Sequence, residues 1–268
     1  MVGALEVRLA VSEKGVTPRA YTSAVNEVTH SLEELDRLAE PDPRHRVAWY
    51  VERTDWRNGG PVLRLRPEQR GADRTTAQLL RPATAFVSGI HALQERPAIP
   101  EHFTERVVNR VATISHLTVS KTAGLEGVEV VAVDAAHNAA RIDQRVDENA
   151  KKAVEPSSLA YGSIIGRLDV ISARGAKTRI GLVSDWGPPI NCTVDGLARE
   201  EYLALFDERV LVSGLIKRNG SGQIIRIEAV GIEPQRAPSD IDIASLRGSM
   251  TNPRELTVSQ YLEELRGE

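Results

Sequence analysis

Between residues 161 and 233 the sequence alternates apolar and polar residues in five short runs, broken at one place by a helical run. The extended runs fall at 161–171, 177–184, 190–195, 209–217 and 223–233, and the helical run covers about 197–206. Strict alternation places every second side chain on one face of a strand. Thr178, Ile180 and Leu182 therefore share an inward face, and Lys177 and Arg179 point outward. By the same rule Cys192 sits with Ile190 and Val194 on the core side, where a thiol behaves as a small hydrophobe.

The resulting order, β-β-β-α-β-β with the helix between strands three and four, is that of a small Greek-key barrel of the OB-fold type. Gly166 and Gly214, inside strands, suit the bends or bulges of barrel corners. Ligands of such barrels cross strands two and three, flanked by the loops after strands one and four, here 172–176 and 218–222. Arg174, Lys177, Arg179, Lys217 and Arg218 form a modest basic rim there. No aromatic platform accompanies them, and acidic residues balance basic ones across the barrel, so a structural barrel is the favoured reading.

The first 156 residues read as α/β (α+β), a two-layer sandwich with helices on one face of a sheet. Residues 5–11 alternate as a strand. Thr17-Pro18 is a helix start, because threonine can cap the first turn and proline lacks only an N–H that would be unpaired anyway. Tyr21, Val25, Val28, Leu32, Leu35 and Ala39 then form one helical stripe. Runs 47–54 and 61–66 predict a hairpin around Asn58-Gly59-Gly60. One helix is expected from Pro82 through Phe86, Ile90 and Leu93, and another from Pro100 through Phe103, Val107, Val111 and Ile114. A β-branched strand at 127–134 and a helix at 143–154 complete the region. Pairs Asp147–Lys151 and Glu148–Lys152 support that helix. Residues 155–158 and 234–239 read as linkers, dividing the chain into 1–156, 157–234 and 235–268.

Several function classes find no support in the sequence. A net charge of -3 creates no global attraction for polyanions. There is no run of about eighteen apolar residues, and the start of the chain carries no basic-then-apolar leader, so a cytoplasmic protein without a membrane partner is expected. The sequence contains no phosphate loop, nucleophile elbow, His-Glu-x-x-His helix or Cys-x-x-Cys pair, and no cofactor is expected. Gly220-Ser221-Gly222 lies between strands and reads as a hairpin turn. The six histidines are scattered. Asp143 and Asp147 share a helical face, but acids in a first turn are favoured by the helix dipole without any catalytic role.

Two segments carry the functional expectations. Residues 44–74 hold Arg44, Arg46, Arg53, Arg57, Arg64, Arg66, Arg70 and Arg74 among Trp49, Tyr50 and Trp56. If Val47, Trp49 and Val51 face the core, Tyr50, Arg64 and Arg66 face outward, where they could meet phosphates and stack on a base. With Lys177, Arg179 and Arg218 these are the candidate residues for single-stranded nucleic acid. In the final segment Thr257 and Gln260 make a capping box, and Val258, Tyr261, Leu262 and Leu265 form one apolar face. So short a helix needs a surface to dock on.

The pattern Tyr161-Gly162-Ser163-Ile164-Ile165-Gly166-Arg167-Leu168, with Asn191-Cys192-Thr193, 209–214 and Asn219-Gly220, resembles the C-terminal part of an uncharacterised family of bacterial proteins. That resemblance implies no activity. Residues 256–266 are similar to the tails by which type II antitoxins grip their toxins, which implies a protein partner held through Val258, Tyr261, Leu262 and Leu265. The leading expectation is a non-catalytic interaction or regulatory protein, antitoxin-like in its tail. The alternatives are a single-strand nucleic-acid binder and an enzyme whose site lies between the two folded parts.

Overall fold

The computed structural model describes residues 5–40, 43–57, 59–69, 71, 74–120, 122–132, 139–172, 178–184, 189–194 and 199–235. Residues up to Pro234 form one compact unit with mixed α and β content. Among the described residues it holds two five-stranded sheets and five α-helices, with a separate apolar core under each sheet.

The first sheet runs β2-β3-β1-β4-β5, antiparallel throughout, from β1 (Leu5–Val11), β2 (Val47–Arg57), β3 (Gly60–Gln69), β4 (Leu125–Ala132) and β5 (Ala139–Ile142). Leu5, Val7, Leu9, Leu63, Leu65, Val128, Val130 and Ile142 point to one face. They pack there against α1 (Pro18–Ala39), α2 (Thr76–Glu95), α3 (Glu105–Val119) and α4 (Gln144–Val154). Thr17 caps α1 as expected, its side chain accepting from the Ala20 N–H at 3.3 Å. Asp143 caps α4, accepting from Arg145 and Val146, so its place in the first turn is structural. Lys151 pairs with Asp147 at 2.6 Å.

Three local expectations need correction. Helix α2 starts at Thr76, six residues before Pro82, on a capping box between Thr75 and Gln78. Pro82 is tolerated inside because the carbonyl it cannot serve, that of Gln78, accepts from Arg74 Nη2 at 2.9 Å. Helix α3 starts at Glu105 on the Thr104 cap, while Pro100 closes a preceding turn by accepting from the Phe103 N–H. Val51 faces the helix side by register with Leu65, yet it is 55% exposed. Strand β2 is an edge, and the helix layer does not extend over it there.

The second sheet comprises β6 (Ser158–Ser172), β7 (Thr178–Ser184), β8 (Ile190–Val194), β9 (Arg209–Arg218) and β10 (Ile224–Pro234). It rolls into a barrel in the order β10-β8-β7-β6-β9, and β9 pairs with β10 to close the ring. Closure is uneven: the parallel β8–β10 seam spans only 191–194 against 226–229, whereas β6 and β9 pair along 158–167. Gly214 permits the tight curl, because a Cβ there would lie 2.1 Å from the Glu228 carbonyl oxygen. A short helix, α5 (Arg199–Leu203), precedes β9. Leu168, Leu182, Cys192, Val210 and Ile227 fill the interior.

Candidate functional site

The open face of the first sheet is its chemically busiest surface. Side chains directly opposite in an antiparallel pair share a face, so Tyr50 lies beside Arg66 and Arg53 beside Arg64. Tyr50, Arg64 and Arg66 are thus brought together, as the alternation required. Their charges are largely answered in place. Arg66 pairs with Glu68 at 3.0 Å and Arg64 with Glu6 at 3.7 Å. Arg8 holds Glu6 and Glu129, each at 2.9 Å, and Arg53 holds Asp55 at 2.7 Å. Burial works against the Arg8 charge, but the hydrogen bonds and charges of Glu6 and Glu129 outweigh it and raise its pKa. Exposed pairs of this kind contribute little stability; here they lower the positive potential of the face. Arg74 belongs to the interior instead: it pairs with the buried Asp36 at 2.8 Å, and Asp36 also accepts from the Val47 N–H at 2.7 Å.

Of the barrel residues in the nucleic-acid set, Arg179 and Arg218 are described, and both lie on the second sheet. Arg179 is exposed on β7. Arg218 ends β9 and donates to the Gly222 carbonyl within its own turn at 3.0 Å. Lys177 lies outside the described residues, as do Val258, Tyr261, Leu262 and Leu265. The β9–β10 turn is committed within the molecule. Gln223 bonds both ways to the backbone of Ile99, at 2.7 and 2.9 Å. Asn219 donates to the Ala153 carbonyl at 2.8 Å, and Ser221 donates to the Pro97 carbonyl at 3.0 Å. Arg226, on β10, adds an ion pair to Glu105 at 2.6 Å.

The outer face formed by β6, β9 and β10 is a different surface. Register places Tyr161 beside Leu215 and Ile165 beside Leu211. Tyr161 is 80% exposed, Leu159 56% and Val230 60%. Val230 is the residue displaced by a β10 bulge between Ala229 and Gly231. A charged pair, Lys217 with Glu228 at 2.6 Å, sits beside Leu159 and Leu215. An apolar cluster with an aromatic member and a polar rim is the anatomy of a protein-binding surface. The sequence reading missed it. The signal was present in 160–165, where apolar residues occur in both phases of the alternation, Ala160 and Ile164 in one and Tyr161 and Ile165 in the other.

Among the described residues, no group of three or more His, Cys, Asp or Glu side chains could hold a metal. Cys192 is fully buried and burial pushes its thiol pKa up to about 12, which keeps it protonated. A cavity of about 310 Å³ between the two folded parts is lined by Leu35, Leu38 and Ala39 of α1, by Arg81, Pro82 and Ala85 of α2, and by Glu101, His102 and Val183. No helix among the described residues is long and apolar enough to cross a membrane. No protein-family model matches the chain, and no curated protein or solved structure matches it significantly.

Proposed function

We propose that this protein is a non-catalytic interaction protein, regulatory in kind, whose partner is another protein. The observation that carries the reading is the exposed patch of Leu159, Tyr161, Ile165 and Val230 on the outer barrel face. Leaving such a patch in water forgoes the free energy of apolar burial, about 25 cal/mol per Å². A partner would recover it. The barrel has the strand and helix order of an OB-like fold, and in that fold the loop after strand four flanks the ligand. Here the equivalent turn is engaged by Ile99, Ala153 and Pro97, which favours a structural barrel with its binding surface elsewhere. The terminal segment with Val258, Tyr261, Leu262 and Leu265 supplies a second contact of the helix-in-groove kind. An antitoxin-like role is the specific form that this segment suggests.

The test compares three forms of the chain: wild type, Tyr161→Glu, and a chain ending at Pro253. Each is immobilised and offered the purified product of the neighbouring reading frame. Saturable binding that weakens in both altered forms supports the proposal, given unchanged melting temperatures. Equal binding by all three, or none by the wild type, rejects it. Tyr161-dependent dimerisation in light scattering would instead assign the patch to a second copy of the chain.

A second reading rests on one observation: Tyr50, Arg64 and Arg66 share the open face of the first sheet. Single-stranded nucleic acid there would bind with steep salt dependence. Absence of binding at low salt would eliminate it.

A further inference from the structure

A cleft of about 650 Å³ opens between α1, α3 and the edge strand β2. Its walls carry Arg37 from α1, Arg106 and Arg110 from α3, and Trp49 from β2. The volume is that of an ordinary small-molecule pocket. Among the described residues, the buried side-chain atoms of its lining that lack a partner are all donors.

Two of its three carboxylates are engaged, and the third, Glu33, is exposed to solvent. Glu34 takes the Thr104 hydroxyl at 2.9 Å and Arg37 Nη2 at 3.3 Å. Asp36 takes Arg74 and the Val47 N–H. The donors are left over. Arg37 Nε, Arg110 Nε and Trp49 Nε1 are all buried and have no hydrogen-bond partner among the described residues. Arg110 is anchored through Nη1 to Glu27 at 2.7 Å. That leaves its Nε–Nη2 edge, the edge on which an oxyanion makes two parallel bonds. Arg106 lines the same cleft and makes no ion pair with a described residue.

Buried donors without acceptors are costly, roughly 1–3 kcal/mol each. Water answers such a cluster poorly, because each molecule brings two protons that need acceptors of their own. A phosphate or carboxylate brings acceptors only. It also carries the charge that guanidinium groups favour. We propose that this cleft binds a small molecule through an oxyanion group, phosphate or carboxylate. Arg37, Arg106 and Arg110 supply the charge that holds it, and the unpartnered N–H groups of Arg37, Arg110 and Trp49 turn to it on binding. The site is separate from the barrel patch, so it stands or falls independently of the partner reading.

The full chain is titrated with inorganic phosphate, acetate and adenosine monophosphate, using sodium chloride at matched ionic strength as control. The readout is the Trp49 indole N–H resonance in nitrogen-15 spectra, assigned by its loss in Trp49→Phe. Saturable displacement of that resonance by phosphate or by acetate is expected, and the anion that saturates first identifies the group. Arg106→Ala, which removes no ion pair with a described residue, and Arg110→Ala should each weaken binding about 10- to 100-fold, the range for a lost hydrogen bond to a charged group. Three results would each overturn the assignment: no displacement beyond the chloride control, displacement with undiminished affinity in both arginine variants, or saturation by chloride alone.

Discussion

Replacing Asn219 with alanine removes one of the polar ties between the barrel and the helical part of the molecule. Asn219 is only 2% exposed and its amide is fully used. Nδ2 donates to the Ala153 carbonyl at 2.8 Å and to Gln223 Oε1 at 3.0 Å. Oδ1 accepts from the Ser221 and Gln223 N–H groups at 3.1 and 2.9 Å. The Ala153 carbonyl belongs to the last turn of α4, where carbonyls have no partner within the helix. Asn219 therefore satisfies the end of a helix in one part from a turn in the other. In Asn219→Ala the Ala153 carbonyl is stranded at a cost of roughly 1–3 kcal/mol, and each other lost bond adds about 0.5–1.5 kcal/mol. Ser221 is exposed and regains water, which removes its share. The sum is a loss of about 3 kcal/mol, or roughly 6–12 °C in melting temperature for a chain this size. Urea unfolding followed by circular dichroism measures it. Hydrogen exchange should show faster opening at 97–99 and 219–223, with the interiors of the two cores less affected. Asn219→Asp, which keeps the acceptors and loses the donors, should be no better than alanine. A loss below about 0.5 kcal/mol, the size of an ordinary surface change, would refute the reasoning.

Breaking the buried Asp36–Arg74 pair by Arg74→Ala should cost about 3–5 kcal/mol in chemical unfolding, because it leaves a desolvated carboxylate without its partner. Changing both residues to apolar ones of similar volume should cost much less. Burial raises the Asp169 pKa above its ordinary value of 3.8, offset in part by Arg167. A raised carboxylate destabilises the fold where it is ionised, so the penalty is full above the folded pKa and fades as pH falls towards 3.8. Asp169→Asn should therefore melt higher than wild type at neutral pH, with the gain vanishing in acid; a pH-independent difference would contradict this. Cys192 should resist a thiol reagent in the native protein at pH 8 and react fully in denaturant, as absorbance at the released thiolate would show.

Local chemistry carried much of this structure into view before any coordinates. The Thr17 cap, the β2–β3 hairpin and all five barrel strands follow from residue type and period alone. So does the inward Cys192, because a half-buried strand has only two faces and its neighbours occupied the buried one. Signals of this kind span a few residues and survive in any tertiary context.

What the sequence by itself determined, then, was the kind and order of most elements and which side of each would be wet. Tertiary structure decided the rest, through contacts between residues far apart in the chain. Strand β5 has four residues, too few to announce a period, and exists because β4 offers it an edge. Pro82 sits inside α2 because Arg74 supplies a donor that no helix rule anticipates. Val51 is exposed because β2 ended up at the margin of the sheet. Arg37, Arg110 and Trp49 line one cleft because α1, α3 and β2, far apart in the chain, border it together. Periodicity reports how a residue relates to its neighbours in the chain, whereas a site is a relation between segments, and only packing creates it.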